Sequence, residues 1–126
     1  MKSFFALATS LLAAAFLACG SDSSSDPNPG PSCPELPQQC AGTPPSYSTE
    51  IKSLVEQHCF PCHAPGGTGV GAAGRDFSKY EILQRDKAKA LLRVYGCTMP
   101  PKEAPQPSAD DRATLVKWLV CGAPNN

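Results

Sequence analysis

Apolar positions along this chain recur at helical spacing in three stretches and alternate convincingly as a strand in none. In YSTEIKSLVEQHC, Ile51, Leu54, Val55 and His58 follow one another at three- and four-residue steps and share one helix face, with Ser48 or Thr49 available as a cap. FSKYEILQRDKAKALLRVYG, residues 77–96, predicts one or two further helical runs closed by Gly96. SADDRATLVKWLVCG, residues 108–122, offers Ser108 as N-cap and places Asp110 and Asp111 in the first turn, where the helix dipole favours carboxylates. Its apolar stripe of Leu115, Trp118 and Leu119 ends before Gly122. The pattern predicts a small all-α domain.

Two stretches upstream break the pattern. Lys2 is followed by an uncharged run from Ser3 to Ala18, at the limit for a signal-peptide core and too short to span a membrane as a helix. The run closes on FLAC and the chain then turns abruptly polar. This resembles a bacterial lipoprotein signal, with residues 1–18 removed and Cys19 carrying the lipid. An ordinary secretory signal cleaved nearby is the alternative, and either places the protein outside the cytoplasm, in the periplasm or cell envelope. Residues 19–46 hold seven of the fourteen prolines and almost no large apolar side chains, so they predict a disordered tether to a bacterial membrane. The folded domain is then residues 47–126.

Composition narrows the function classes. Eleven Lys and Arg balance eleven Asp and Glu, leaving no basic excess to neutralise nucleic-acid phosphates. A domain of this size sits near the lower limit for a self-sufficient core and calls for a staple, a metal or a cofactor. Cysteine supplies the means. Of seven, Cys19 is assigned to lipid and Cys59 and Cys62 lie in one motif, leaving Cys33, Cys40, Cys97 and Cys121, an even number in an oxidising compartment.

That motif is CFPCH, residues 59–63, and three chemistries compete for it. A structural zinc wants four N or S ligands, usually as two paired motifs, and here the nearest partners, Cys97 and Cys121, are unpaired in sequence and leave His63 surplus. A thiol–disulfide oxidoreductase wants the cysteine pair to follow a strand and open a helix, whereas this pair closes a helical pattern. Haem attachment uses all three residues: two sulfurs bond covalently to the porphyrin edge and the adjacent imidazole reaches the iron. Downstream, CTMPPKEAP carries Met99, the only methionine after the start residue, in a loop stiffened by Pro100 and Pro101. A thioether held opposite a histidine suits a low-spin electron-transfer haem.

Three other features have bland readings. GVGAAG, residues 69–74, matches a dinucleotide-binding glycine pattern but has no strand before it, so it reads as a loop. His58 reads as a helix-surface or helix-end side chain rather than an iron ligand. Arg75, Lys79, Arg85, Lys87, Lys89 and Arg93, set against Asp76, Glu81 and Asp86, read as a solvated face, with docking of an acidic redox partner as the functional alternative.

The order of helix, CxxCH, middle helices, MPP loop and WL-containing final helix resembles the small monohaem class I cytochromes c. The resemblance implies one covalently attached haem c, with Cys59 and Cys62 as thioethers, His63 as proximal and Met99 as distal iron ligand. It implies first and last helices crossing beside the haem, and single-electron transfer with unidentified redox partner proteins rather than catalysis. Alternatives are a haem-based small-ligand sensor or peroxidase-like site, and a haem subunit of a larger oxidoreductase. Cys97 and Cys121 are extra to the family pattern. Of the three connectivities open to the four remaining cysteines, the one keeping each link within its own segment pairs Cys97 with Cys121 and Cys33 with Cys40.

Overall fold

A computed structural model describes residues 33–68 and 74–126, and every regular element among them is helical. The expected signal (1–18), Cys19 as the expected lipid-bearing residue, the first part of the expected tether and most of the GVGAAG loop lie outside the described residues.

The chain enters the domain through a π-helical turn, Tyr47–Ile51, that runs on into α1, Lys52–His58. Neither Ser48 nor Thr49 caps it. Ser46 is the N-cap, and its backbone N–H donates to Oε2 of Glu50 at 2.8 Å. The hydroxyls of Ser46 and Ser48 instead donate to the Asn126 carbonyl at 3.0 and 3.1 Å, and the Tyr47 N–H donates to Asn126 Oδ1 at 2.9 Å. Ser48, which reads as a local cap, thus joins Ser46 and Tyr47 in clamping the two ends of the domain together.

At Cys59 (φ −111°) the helix axis is interrupted, and α2, Phe60–His63, follows as a single turn. The run predicted over 77–96 is two helices, α3 (Tyr80–Arg85) and α4 (Lys87–Tyr95), broken at Asp86, where φ −95° and ψ 8° leave the helical region. The left-handed residue after α4 is Cys97 (φ 53°) rather than Gly96. The last helix, α5 (Ala109–Val120), begins as its sequence predicts: Ser108 Oγ accepts the Asp111 N–H at 3.1 Å.

Trp118 is fully buried and centres the core with Ile51, Val55, Leu115 and Leu119. Its ring stacks on Tyr47 (centroids 5.7 Å apart), which meets Tyr80 edge-on at 4.9 Å. The indole N–H donates to the Pro124 carbonyl, and Tyr80 and Gln84 donate to the carbonyls of Ala123 and Gly122, so the chain beyond α5 is sewn onto α3. The first and last helices do meet, through the Tyr47–Ile51 turn, while α4 packs along α5.

The expected disulfides are corrected. Cys33 pairs with Cys97 (Cα–Cα 6.1 Å) and Cys40 with Cys121 (Cα–Cα 4.6 Å), not Cys97 with Cys121 or Cys33 with Cys40. The cause is the path of the segment before the helices. Leu36, Pro37 and Gln38 lie beside Leu91 of α4 and Leu119 and Val120 of α5, so each cysteine of that segment meets a different helix end. Residues 33–46 are therefore a strap bound to the domain, and the disordered tether expected over 19–46 does not extend through them.

Candidate functional site

Cys59, Cys62 and His63 stand together because one short helix carries them. Cys59 caps α2, Pro61 occupies its first turn, where its missing N–H costs nothing, and His63 ends it. The Cys62 and His63 N–H groups both donate to the Cys59 carbonyl, at 3.2 and 2.8 Å. The following chain folds back over this turn: Gly67 N–H reaches Ala64 O at 2.8 Å, and Thr68 N–H reaches Pro61 O at 3.1 Å. Gly67 is required there, since a Cβ would come within 2.8 Å of the carbonyl carbon and oxygen of Cys62.

The histidine is backed from the other side. Phe77 stacks on its ring with centroids 4.7 Å apart, and the Phe77 N–H donates to the His63 carbonyl at 2.7 Å. Asp76 fixes this approach by accepting from the N–H and hydroxyl of Ser78. Burial lowers the His63 pKa below the ordinary histidine value and the charge of Arg75 lowers it further; a backbone contact of Arg75 opposes them in part without supplying Nδ1 with a hydrogen bond. Burial and the Arg75 charge thus favour the neutral imidazole, the form that ligates a metal. Its Nδ1 is the one buried side-chain polar atom without a partner among the described residues.

Cys59 and Cys62 are the free cysteines among the described residues, all others being in disulfides. Burial, followed by the neighbouring Cys62, pushes the Cys59 thiol up to about 12. A nucleophilic redox thiol has the opposite bias, so Cys59 is poorly suited as the attacking thiol of an exchange reaction. The zinc alternative loses its remaining ligands, because Cys97 and Cys121 are spent in disulfides. No group of three or more His, Cys, Asp or Glu among the described residues is arranged to hold a metal ion.

Met99 lies apart, in the loop between α4 and α5, with its side chain 37 % exposed while its backbone is fixed at both ends. The Met99 N–H donates to Arg93 O at 3.1 Å, and its carbonyl accepts from Arg112 Nη1 at 2.9 Å. The Arg93 carbonyl also takes the N–H and hydroxyl of Thr98. His58, at the end of α1, lies 3.3 Å through Nδ1 from the Pro105 carbonyl, so the residue before Cys59 touches the loop that carries Met99.

Two residues of this loop system were not singled out from the sequence. Arg112 is 3 % exposed and also donates to Val94 O and Gln106 Oε1, each at 2.9 Å. Gln106 Nε2 in turn donates to the carbonyls of Pro100, Pro101 and Ala104. The available signal was the loop itself: Pro100, Pro101, Pro105 and Pro107 donate no hydrogen bonds, so its carbonyls need side-chain donors.

The model of the family described as "Cytochrome C oxidase, cbb3-type, subunit III" matches residues 48–119. The chain belongs to this family of class I monohaem c-type cytochrome domains. Neither the curated proteins nor the solved structures compared with the chain gave a match. Membership brings a covalently bound haem c, electron transfer with redox partners or within an oxidase complex, and work outside the cytoplasm. The site fits that group: two unpaired sulfurs and a neutral histidine with an unpartnered nitrogen lie on one turn, with no competing role for any of them. No helix among the described residues is long and apolar enough to cross a membrane.

Proposed function

We propose that this protein is a membrane-tethered single-electron carrier, held by lipid on Cys19, that performs no bond-making chemistry of its own. Cys59 and Cys62 would hold the haem through thioethers, and His63 and Met99 would ligate its iron. When bound, the group supplies a one-electron couple. The chain's own contribution is to present His63 neutral, back it with Phe77, and hold the Met99 backbone still.

The observation that carries the reading is Met99. An interior methionine is ordinarily core filler, but this one is 37 % exposed on a loop whose backbone is pinned, so packing does not account for its placement. With His63 and Met99 both ligating the iron, no open site would remain for a substrate, which favours a carrier over a sensor or peroxidase-like protein.

The test is spectroscopic. Protein matured with a c-type haem assembly system should retain haem through acid–acetone extraction, and Cys59→Ala with Cys62→Ala should lose it. The oxidised wild type should show the weak far-red band of methionine-ligated haem, and Met99→Ala should abolish it and open the iron to carbon monoxide or cyanide. Wild-type iron that takes up carbon monoxide as readily as the Met99→Ala variant would replace the carrier with a ligand-binding protein.

A further inference from the structure

We propose that Arg112 is the positioning residue for the distal ligand, acting with Gln106 to hold the Met99 loop in its ligating pose. The inference rests on the methionine ligation proposed above. An arginine in an amphipathic helix ordinarily faces solvent, and this one follows Asp110 and Asp111 in the first turns of α5. It is instead buried, and neither of the two ion pairs among the described residues involves it. Every acceptor it uses is neutral and each belongs either to the end of α4 or to the Met99 loop.

The geometry explains the choice of side chain. Nη1 bridges Val94 O and Met99 O, both at 2.9 Å, so one nitrogen joins the last turn of α4 to the proposed ligand. Nη2 reaches Gln106 Oε1 at 2.9 Å, which orients that amide so that its Nε2 faces Pro100 O, Pro101 O and Ala104 O. The planar fork thereby fixes the carbonyls on and after Met99 in one frame. A lysine ammonium, a single point donor, cannot span both branches. None of these bonds involves the thioether; they fix the backbone that delivers it. Fixing the groups that orient a ligand raises its effective concentration at the metal without any contact to the metal.

The test uses the haem-loaded full chain in four variants: Met99→Ala, Arg112→Lys, Arg112→Met and Gln106→Ala. Two quantities are read on the oxidised protein, the intensity of the far-red band and the affinity for added imidazole. Gln106 is exposed, so Gln106→Ala should fold with wild-type helix content even where Arg112→Met does not. Arg112→Lys and Gln106→Ala should keep the haem covalently bound, weaken the far-red band and tighten imidazole binding by about 10–100-fold, the usual effect of removing a group that orients a metal ligand. Arg112→Met, where it folds, should exceed both.

Folded Arg112→Lys and Gln106→Ala proteins with the wild-type band and wild-type imidazole affinity would overturn the proposal while leaving methionine ligation intact. A wild-type band that survives Met99→Ala would remove the ligation and this proposal with it. Weaker stability with an unchanged band and affinity would reduce Arg112 to a structural residue, which also overturns the assignment.

Discussion

The two halves of the site are built by opposite means. The CFPCH turn is mostly local: its three reactive side chains lie within five residues, hydrogen bonds spanning up to seven positions and the tight approach of Gly67 set that turn, and Phe77 backs His63 from fourteen residues on. The Met99 loop is assembled from afar. Its carbonyls meet Arg112, thirteen residues on, and the His58 ring, forty-seven residues back, and its cysteine, Cys97, is tied to Cys33, sixty-four residues back. A covalent attachment can rely on its own bonds once formed, whereas a weak iron–thioether contact needs its loop restrained by the rest of the fold.

The disulfides should give the largest effect and separate the two halves most cleanly. Each bridge closes a long loop, worth up to about 4 kcal/mol in the chain-entropy model. Replacing Cys33 and Cys97 together by serine, or Cys40 and Cys121 together, should lower the unfolding midpoint to a similar degree. Only the first pair should weaken the far-red band, because Cys97 lies two residues before Met99 whereas Cys121 caps α5. Covalent haem should survive in both. Peptide mapping of unreduced protein that found Cys97 joined to Cys121 would dissolve the distinction.

Next in size is Gly67→Ala, which acts on the local half. The added Cβ meets backbone atoms of Cys62 and Ala64 that cannot yield cheaply. A cost of about 1–3 kcal/mol follows from overpacking, or roughly 4–8 °C in Tm for each kcal/mol in a domain of this size. The far-red band of the surviving folded protein should be intact. If Gly67→Ala left Tm unchanged, the turn would be looser than its geometry indicates.

The contrast also decides what could be read from the sequence. CFPCH, the Ser108 cap and the apolar stripe on α5 were legible because each is a pattern within one turn or one helix. Met99 stood out as the candidate ligand through its isolation and its prolines. Arg112 was not, since nothing in its own helix distinguishes it from a solvated arginine, and its burial is caused by carbonyls of another segment. The cysteine pairing failed for the same reason. Parity gave the number of bridges, but the partners depend on where the 33–46 strap runs across α4 and α5. Likewise Ser48 looks like a capping residue until the end of the chain arrives to take its hydroxyl.

Ser108→Ala is a middle case, a local device that serves the distant half. Loss of an N-cap typically costs about 1 kcal/mol, and here it frees the first turn of α5, which carries Arg112. A modest fall in Tm should be accompanied by a slight weakening of the far-red band. A drop in Tm with no change in the band would show that Arg112 is held by its own acceptors rather than by the helix start.

The smallest effect is the response to acid, and it should appear on the histidine side. Hydrogen bonds from Ser78, assisted by Lys79, hold the Asp76 carboxyl below its ordinary value of 3.8. A carboxyl depressed in the folded state binds fewer protons than in the unfolded chain, so its contribution is present above the unfolded value and is lost as pH falls through the folded one. Asp76 positions Phe77, and Phe77 backs His63, so this loss loosens the proximal side. The Met99 loop depends on a guanidinium and an amide, neither of which titrates in that range. Asp76→Asn should therefore lower Tm slightly at neutral pH, and the gap from wild type should close as pH drops below 3.8. Over the same range Gln106→Ala should keep a constant gap. A Gln106→Ala gap that closed in acid, or an Asp76→Asn gap that did not, would mean that the two halves are not supported independently.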